Sequence, residues 1–149
     1  LNNSEVKLFT DGACKGNPGP GGWGVVMIQA GGPTNEMFGG EVFTTNNRME
    51  LLAVIKGLEA IQGIENINIY TDSKYVKNGI TLWIKNWEKN GWKTASKKDV
   101  ANQDLWLSLT HLVENKSIKW NWVKGHSGNL GNERADHLAN RGVAACSQK

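Results

Sequence analysis

At 149 residues the chain is long enough for one domain whose core needs no disulfide or metal staple, and nothing in it demands a second domain. With 39% hydrophobic and 21% charged residues, and no apolar run near the roughly 20 residues of a membrane span, the composition predicts a soluble globular chain with no membrane partner. A net charge of +3 is too mild to establish a polyanion partner, so the clustering of the cations decides.

In chain order, an apolar, β-branched run over residues 6–10 delivers Asp11. Gly12, Gly16, Gly19, Gly21 and Gly22, with two prolines, then predict a tight turn into a second strand over residues 23–28. Gly12 removes a side chain from beside the acid, which would let a bulky ligand come close; Asp11 also suits a turn-capping role. After Gly31, Gly32 and Pro33, residues 34–44 read as a third strand, and the short turns predict an antiparallel meander.

Thr44-Thr45-Asn46-Asn47 supplies side-chain acceptors ahead of a helix over residues 48–61, with Met49, Leu52, Ala53, Leu58 and Ile61 on its buried stripe. Glu50, in its first turn, fits a capping box with Asn47. Residues 66–71 alternate as a strand and end at Asp72, where a helix begins. Such a place is both the ligand-binding end of an open α/β sheet and an N-cap position.

Residues 79–98 interleave Trp83, Trp87 and Trp92 with Lys85, Lys89, Lys93, Lys97 and Lys98. The spacing of Trp83 and Trp87 fits one helix face against the core. The lysines make either a solvated face or a basic, aromatic-bearing projection of the kind that tracks a phosphate backbone. A helix follows over residues 103–114, carrying Leu105, Leu109, Leu112 and Val113, and residues 117–124 alternate as a last strand. A glycine-bounded loop then presents His126. The final helix, 132 to about 145, buries Ala135, Leu138, Ala139, Gly142 and Val143, with Asp136 beside that stripe near the helix start.

Asp11, Glu50, Asp72 and Asp136 each have a local role open to them, yet all fall near a strand end or a helix start and can converge on one edge of a single sheet. Four carboxylates brought together repel unless cations neutralise them, and oxygen-only ligation calls for a hard ion, Mg²⁺ or Mn²⁺. Two such ions roughly 4 Å apart form a clamp for in-line displacement at a phosphodiester. Cys14 and Cys146 have neither metal nor disulfide spacing and read as free thiols. No charged-then-apolar leader pattern opens the chain and no apolar heptad runs along it, so a cytoplasmic monomer is expected.

Thr10-Asp11-Gly12-Ala13-Cys14 with Gly16-Asn17-Pro18-Gly19, Thr45-Asn46-Asn47-Arg48-Met49-Glu50, Thr71-Asp72-Ser73, Trp122-Val123-Lys124-Gly125-His126 and Asn132-Glu133-Arg134-Ala135-Asp136 stand in an order that closely resembles type 1 ribonuclease H, in its bacterial ribonuclease HI form. The resemblance covers residues 6–144 and implies one ribonuclease H domain over 1–149. It implies an α/β fold: a five-stranded mixed sheet, three antiparallel strands then two parallel additions, flanked by helices. It also implies an endonuclease that cuts the RNA strand of RNA–DNA hybrids and leaves 3′-hydroxyl and 5′-phosphate ends.

Carried over by position, Asp11, Glu50, Asp72 and Asp136 are the catalytic carboxylates that hold two Mg²⁺ ions, with Mn²⁺ able to substitute. His126 is the loop histidine that assists proton transfer or product release. Cys14, Asn17, Asn46 and Asn47 match residues contacting the hybrid in its minor groove, and Thr45 with Asn17 matches part of a DNA phosphate pocket. Trp83, Lys89, Lys93, Lys97 and Lys98 match a basic protrusion, Trp83 lying against the DNA strand. Lys74 stands where bacterial relatives often carry glutamine in the hybrid-contacting helix. Alternatives are a non-catalytic hybrid-binding module, the nuclease part of a reverse transcriptase and an integrase-like phosphotransferase. The first predicts a missing carboxylate, the second dependence on a partner domain, and the third the absence of the Cys14, Asn17, Asn46 and Asn47 set.

Overall fold

β1 (Glu5–Cys14) opens with alternation, Val6 and Leu8 buried between exposed Glu5 and Lys7, and then loses it: Phe9 and Thr10 are both buried. The change marks the point where the strand is covered on both faces. The structure is a computed structural model and describes residues 5–29, 32, 34–61, 63–114, 116–123 and 130–147. β2 (Gly19–Gln29) and β3 (Thr34–Thr44) form the expected antiparallel meander with β1. β4 (Asn66–Thr71) pairs in parallel with the other side of β1, and β5 (Ser117–Trp122) pairs in parallel with β4. The order β3-β2-β1-β4-β5 is the expected five-stranded mixed sheet.

α1 (Asn46–Ala60) covers one face, where Leu51, Val54 and Leu58 join Val6, Leu8, Val25, Ile67 and Ile69 in the main core. α4 (Gln103–Val113) contributes Leu105, Trp106 and Leu109 to the same core. On the opposite face α5 (Leu130–Ser147) packs Ala135 and Leu138 against Phe9 and Val26. Between β4 and α4, α2 (Lys74–Asn78), a π-helical turn (Gly79–Trp83) and α3 (Ile84–Lys89) follow without a break. Among the described residues no helix is long and apolar enough to cross a membrane.

Of the boundaries that differ from expectation, α5 starts at Leu130 instead of 132 and β5 ends at Trp122 instead of 124, and three others differ for clear physical reasons. β1 and β2 run through glycines that read as turn residues, leaving only positions 15–18 between them. Gly12 and Gly24 lie where helix backbones lean on the sheet: a Cβ on Gly12 would stand 2.3 Å from the Glu50 amide nitrogen, and one on Gly24 2.3 Å from the Ala135 carbonyl. They are packing glycines, and the close neighbour of Gly12 is α1 itself rather than a ligand. α1 begins before residue 48 because Thr45 caps it, its hydroxyl accepting from the Arg48 N–H at 3.2 Å. Its buried surface is broader than the predicted stripe because the sheet and α4 both cover it, so Leu51, Val54 and Ile55 are buried while Leu52 is only partly so.

Candidate active site

The parallel ladder of β1 and β4 places Phe9 opposite Tyr70, their rings stacked with centroids 4.7 Å apart. Two residues further along the chain from each stand Asp11, still in β1, and Asp72, just past the end of β4, so the register carries them towards each other. Asp11 is not at the end of its own strand, as the glycines led one to expect, because β1 continues against β2 with Asp11 opposite Gly24. It lies at the end of the parallel pairing only, where β4 stops and the sheet opens. That is the carboxyl-end position at which α/β sheets bind ligands.

Glu50 arrives from the other face. With Thr45 as the cap, Asn47 and Glu50 form no capping box, and the Glu50 carboxylate is left for other partners. The Ser73 hydroxyl donates to it at 2.7 Å while accepting from the Val76 N–H at 3.1 Å. Ser73 is therefore the N-cap of α2, and Asp72 is free of that task. Carboxylate oxygens of Asp11, Glu50 and Asp72 all lie within 4.8 Å of one another. Asp136 is not one of that close group, but it lies near enough to Asp11 to push its pKa upward. The start of α5 sets it there: Gly131 lies on the Phe9 ring, where a Cβ would stand 2.5 Å from ring carbons, and the Asn132 side-chain amide donates to the Tyr70 carbonyl at 3.2 Å.

The electrostatics follow from crowding. Burial, the Asp136 carboxyl and the Asp72 charge push the Asp11 pKa from 3.8 to about 8, against a small opposing pull from the Gly12 N–H. Burial also raises Glu50, with Asp72 adding to the rise, while the Ser73 hydroxyl and the Asn46 amide draw it back down. Carboxylates held this close are stable together only when protons or cations share their charge. The donor set is entirely oxygen, so the residues fit a hard divalent cation.

Around this centre, Asn17 Oδ1 accepts from the Asn46 N–H at 2.9 Å, which ties the β1–β2 turn to the start of α1. Asn17 and Asn47 are exposed, and Asn46 and Thr45 partly so. The Cys14 thiol, half-buried, donates towards the Thr44 carbonyl at 3.4 Å. Lys74 is exposed at the first position of α2. Trp83, Trp87 and Trp92 are half-buried and form a ladder with centroid separations of 5.6 and 5.8 Å, so the rings root the projection rather than ride on it. Lys85, Lys89, Lys97 and Lys98 are exposed and form no ion pair among the described residues, whereas Lys93 is paired with Asp99. Lys93 is thus not a free cation of the projection. His126 lies outside the described residues.

Sequence reasoning passes over Ser73 as the donor to Glu50, although a serine directly after a strand-ending acid and ahead of a helix is an N-cap signal. It also passes over Arg48, Tyr75 and Asn102, which touch one another only through the tertiary fold.

Residues 3–144 match the RNase H family model. Ribonuclease H of Cupriavidus metallidurans is 60% identical over 141 residues, covering 95% of this chain and 97% of that one. Ribonuclease HI of Neisseria meningitidis serogroup B is 59% identical over 145 residues, covering 97% and 99%. Among solved structures, LC9-RNase H1, a type 1 RNase H with the type 2 active-site motif, superposes with a TM-score of 0.85 at 34% identity over 97% of this chain and 74% of that one. With the acidic cluster at the end of a β3-β2-β1-β4-β5 sheet and relatives of this identity matched over nearly their whole lengths, the chain belongs to the ribonuclease H family, alongside the bacterial ribonuclease HI enzymes.

Proposed function

We propose that the chain is an endonuclease that hydrolyses the RNA strand of RNA–DNA hybrids, independent of sequence, leaving 3′-hydroxyl and 5′-phosphate ends. The observation that carries the reading is the convergence of Asp11, Glu50 and Asp72, with oxygens within 4.8 Å of one another, on an open sheet end bordered by neutral amides. The relatives' names, ribonuclease H and ribonuclease HI, support the reaction class.

Asp11, Glu50, Asp72 and Asp136 would hold the cations, two Mg²⁺ ions when substrate is present, with Mn²⁺ as a substitute. When bound, such ions activate water for in-line attack and stabilise the departing oxygen. The chain's own groups supply placement. Asp11 stands between Asp72 and Asp136, and Ser73 with Asn46 keeps the Glu50 carboxylate oriented. Asn17, Asn46 and Asn47, with Cys14, read the minor groove, where the 2′-hydroxyl is both donor and acceptor and separates RNA from DNA. Because Thr45 Oγ1 accepts from the Arg48 N–H, its own proton is left for a phosphate oxygen, which suits a pocket shared with Asn17. Lys74 and Trp83 border the duplex. Lys89, Lys97 and Lys98 follow its phosphates, with Lys93 a lesser contributor because of Asp99. His126 takes the role of proton transfer or product release. The working form is a monomer in the cytoplasm.

The test is cleavage of end-labelled hybrid with Mg²⁺ beside double-stranded RNA, single-stranded RNA and double-stranded DNA, using Asp72→Asn as control. Cutting of the hybrid alone, dependent on the cation and lost in the variant, is expected. Equal cutting of double-stranded RNA, or full activity of Asp72→Asn, would overturn the proposal.

A further inference from the structure

Arg48 has no part in the reading above, although it follows Asn47 directly and precedes Glu50 by two residues. Its guanidinium is held within the protein by a bidentate fork and a third hydrogen bond. Nη1 and Nη2 donate to the two carboxylate oxygens of Asp104 at 3.1 and 2.8 Å, Nη1 also donates to Asn102 Oδ1 at 3.3 Å, and Nε faces Glu41 at 3.7 Å. With the Nη face taken by Asp104 and Asn102, the group is held by the protein and its fork is not presented to a phosphate. The Arg48 and Asp104 side chains are 30% and 64% exposed, so the pair adds little to stability. A bidentate fork nevertheless fixes direction.

Its direction leads to the projection. Asn102 closes the loop over residues 90–102 in a left-handed conformation (φ 59°) that asparagine tolerates better than most residues. Its Nδ2 donates to the Tyr75 hydroxyl at 3.1 Å, which also accepts from Trp106 Nε1 at 3.0 Å. The Tyr75 ring meets Trp83 at 5.7 Å, and Trp83 opens the tryptophan ladder to Trp92. Next to Asn102, Gln103 Nε2 donates to the Trp92 carbonyl at 2.9 Å. A continuous line of contacts thus runs from the helix that carries Glu50 to the root of the lysine loop.

We infer that Arg48 is a positioning residue for the substrate: through Asp104 and Asn102 it sets the angle between the lysine projection and the carboxylate site, so that a duplex held by the one presents its scissile phosphate to the other. The inference rests on the hybrid-cleaving reading and adds how two distant parts of one duplex are kept in register. Arg48→Lys keeps the charge and loses the fork, and Asp104→Asn loses the partner.

The experiment compares steady-state cleavage of a long hybrid that spans site and projection with that of a short hybrid that reaches the site alone. In each variant KM on the long hybrid rises about tenfold while kcat stays within about twofold, and the short hybrid is cut as by the unmodified protein. The double variant is no worse than either single one, since both break the same link. Thermal unfolding moves by no more than about 3 °C, which separates positioning from loss of fold. Equal losses on both hybrids, a fall confined to kcat, or unchanged KM on the long hybrid would each overturn the inference while leaving the hybrid reading intact. Failure of the unmodified protein to cut either hybrid would overturn both.

Discussion

Replacing Asp11 by Asn removes an ionisable carboxyl from the point in the fold where charge costs most. Without cations, burial, the Asp136 carboxyl and the Asp72 charge raise the Asp11 pKa from 3.8 to about 8. Between those values the folded protein keeps a proton that the unfolded chain has released, so stability falls as pH rises through that window and levels off above it. At pH 7, roughly three units above the unfolded value, the cost approaches about 4 kcal/mol at about 1.36 kcal/mol per unit. Asp11 is only half-buried, so solvent screens part of that cost and about 2 kcal/mol is the working magnitude. Asparagine has the same shape and no charge at any pH. Thermal unfolding in EDTA at pH 7 is therefore expected to show Asp11→Asn melting about 4–8 °C above the unmodified protein. Between about pH 4 and pH 8 the unmodified protein loses more melting temperature than the variant, which keeps only the smaller fall contributed by Glu50. Saturating Mg²⁺ narrows or reverses the gap, because only the complete carboxylate set gains from binding the ion. Cleavage disappears in the same variant. An Asn variant that melts at or below the unmodified protein in EDTA would refute the picture of a carboxyl whose charge is opposed by burial and by its acidic neighbours.

Changing Lys89, Lys97 and Lys98 together to Ala is expected to weaken hybrid binding and lower the salt slope by up to about 3, at roughly 0.9 per phosphate contact. Lys93→Ala changes the slope less because Asp99 already holds that charge, as binding titrations at several salt concentrations would show. Ser73→Ala removes both the donor to Glu50 and the α2 cap, at a cost of about 1–2 kcal/mol in urea unfolding and a reduced kcat, with Ser73→Thr restoring most of both. Gly12→Ala drives a methyl group to within 2.3 Å of the Glu50 nitrogen, a backbone atom that has no room to yield. It should destabilise by about 3 kcal/mol and abolish cleavage, and urea unfolding at wild-type denaturant concentrations would refute the packing account of that glycine.

Period and burial agree along β4, so residues 66–71 are legible to the last position. β3 is equally legible, at 34–44, because turn signals bound it on one side and helix-capping residues on the other. The glycines of β1 and β2 mislead because a missing side chain has two causes: a turn that needs φ > 0, or a neighbour pressed against the strand. Only the tertiary structure distinguishes Gly16, with φ 88°, from Gly12 and Gly24, which meet α1 and α5. The acids are individually ambiguous for a similar reason. Glu50 and Asp72 could each have capped a helix, and it takes Thr45 and Ser73 in those places to leave them for the site. Trp106, completely buried with its Nε1 bonded to Tyr75, lies beside the predicted α4 stripe rather than on it, because α4 meets the π-helical turn at Gly79 as well as α1. The role of Arg48 is invisible in sequence, since its partners Asn102 and Asp104 are 54 and 56 residues away.

The parallel pairing of β1 and β4 also acts as a reading frame for the site. Asp11 and Asp72 are each two residues beyond the pair Phe9 and Tyr70, and the pleat decides which face each carboxylate takes. One residue inserted between Phe9 and Asp11 would carry the carboxylate to the α1 face, away from Asp136, however well the rest of the chain folded. The connections from β2 to β3 and from α1 to β4 lie outside that count. They are free to lengthen or shorten without moving either aspartate, so the geometry of the metal-binding cluster is kept by two short intervals rather than by the length of chain between them.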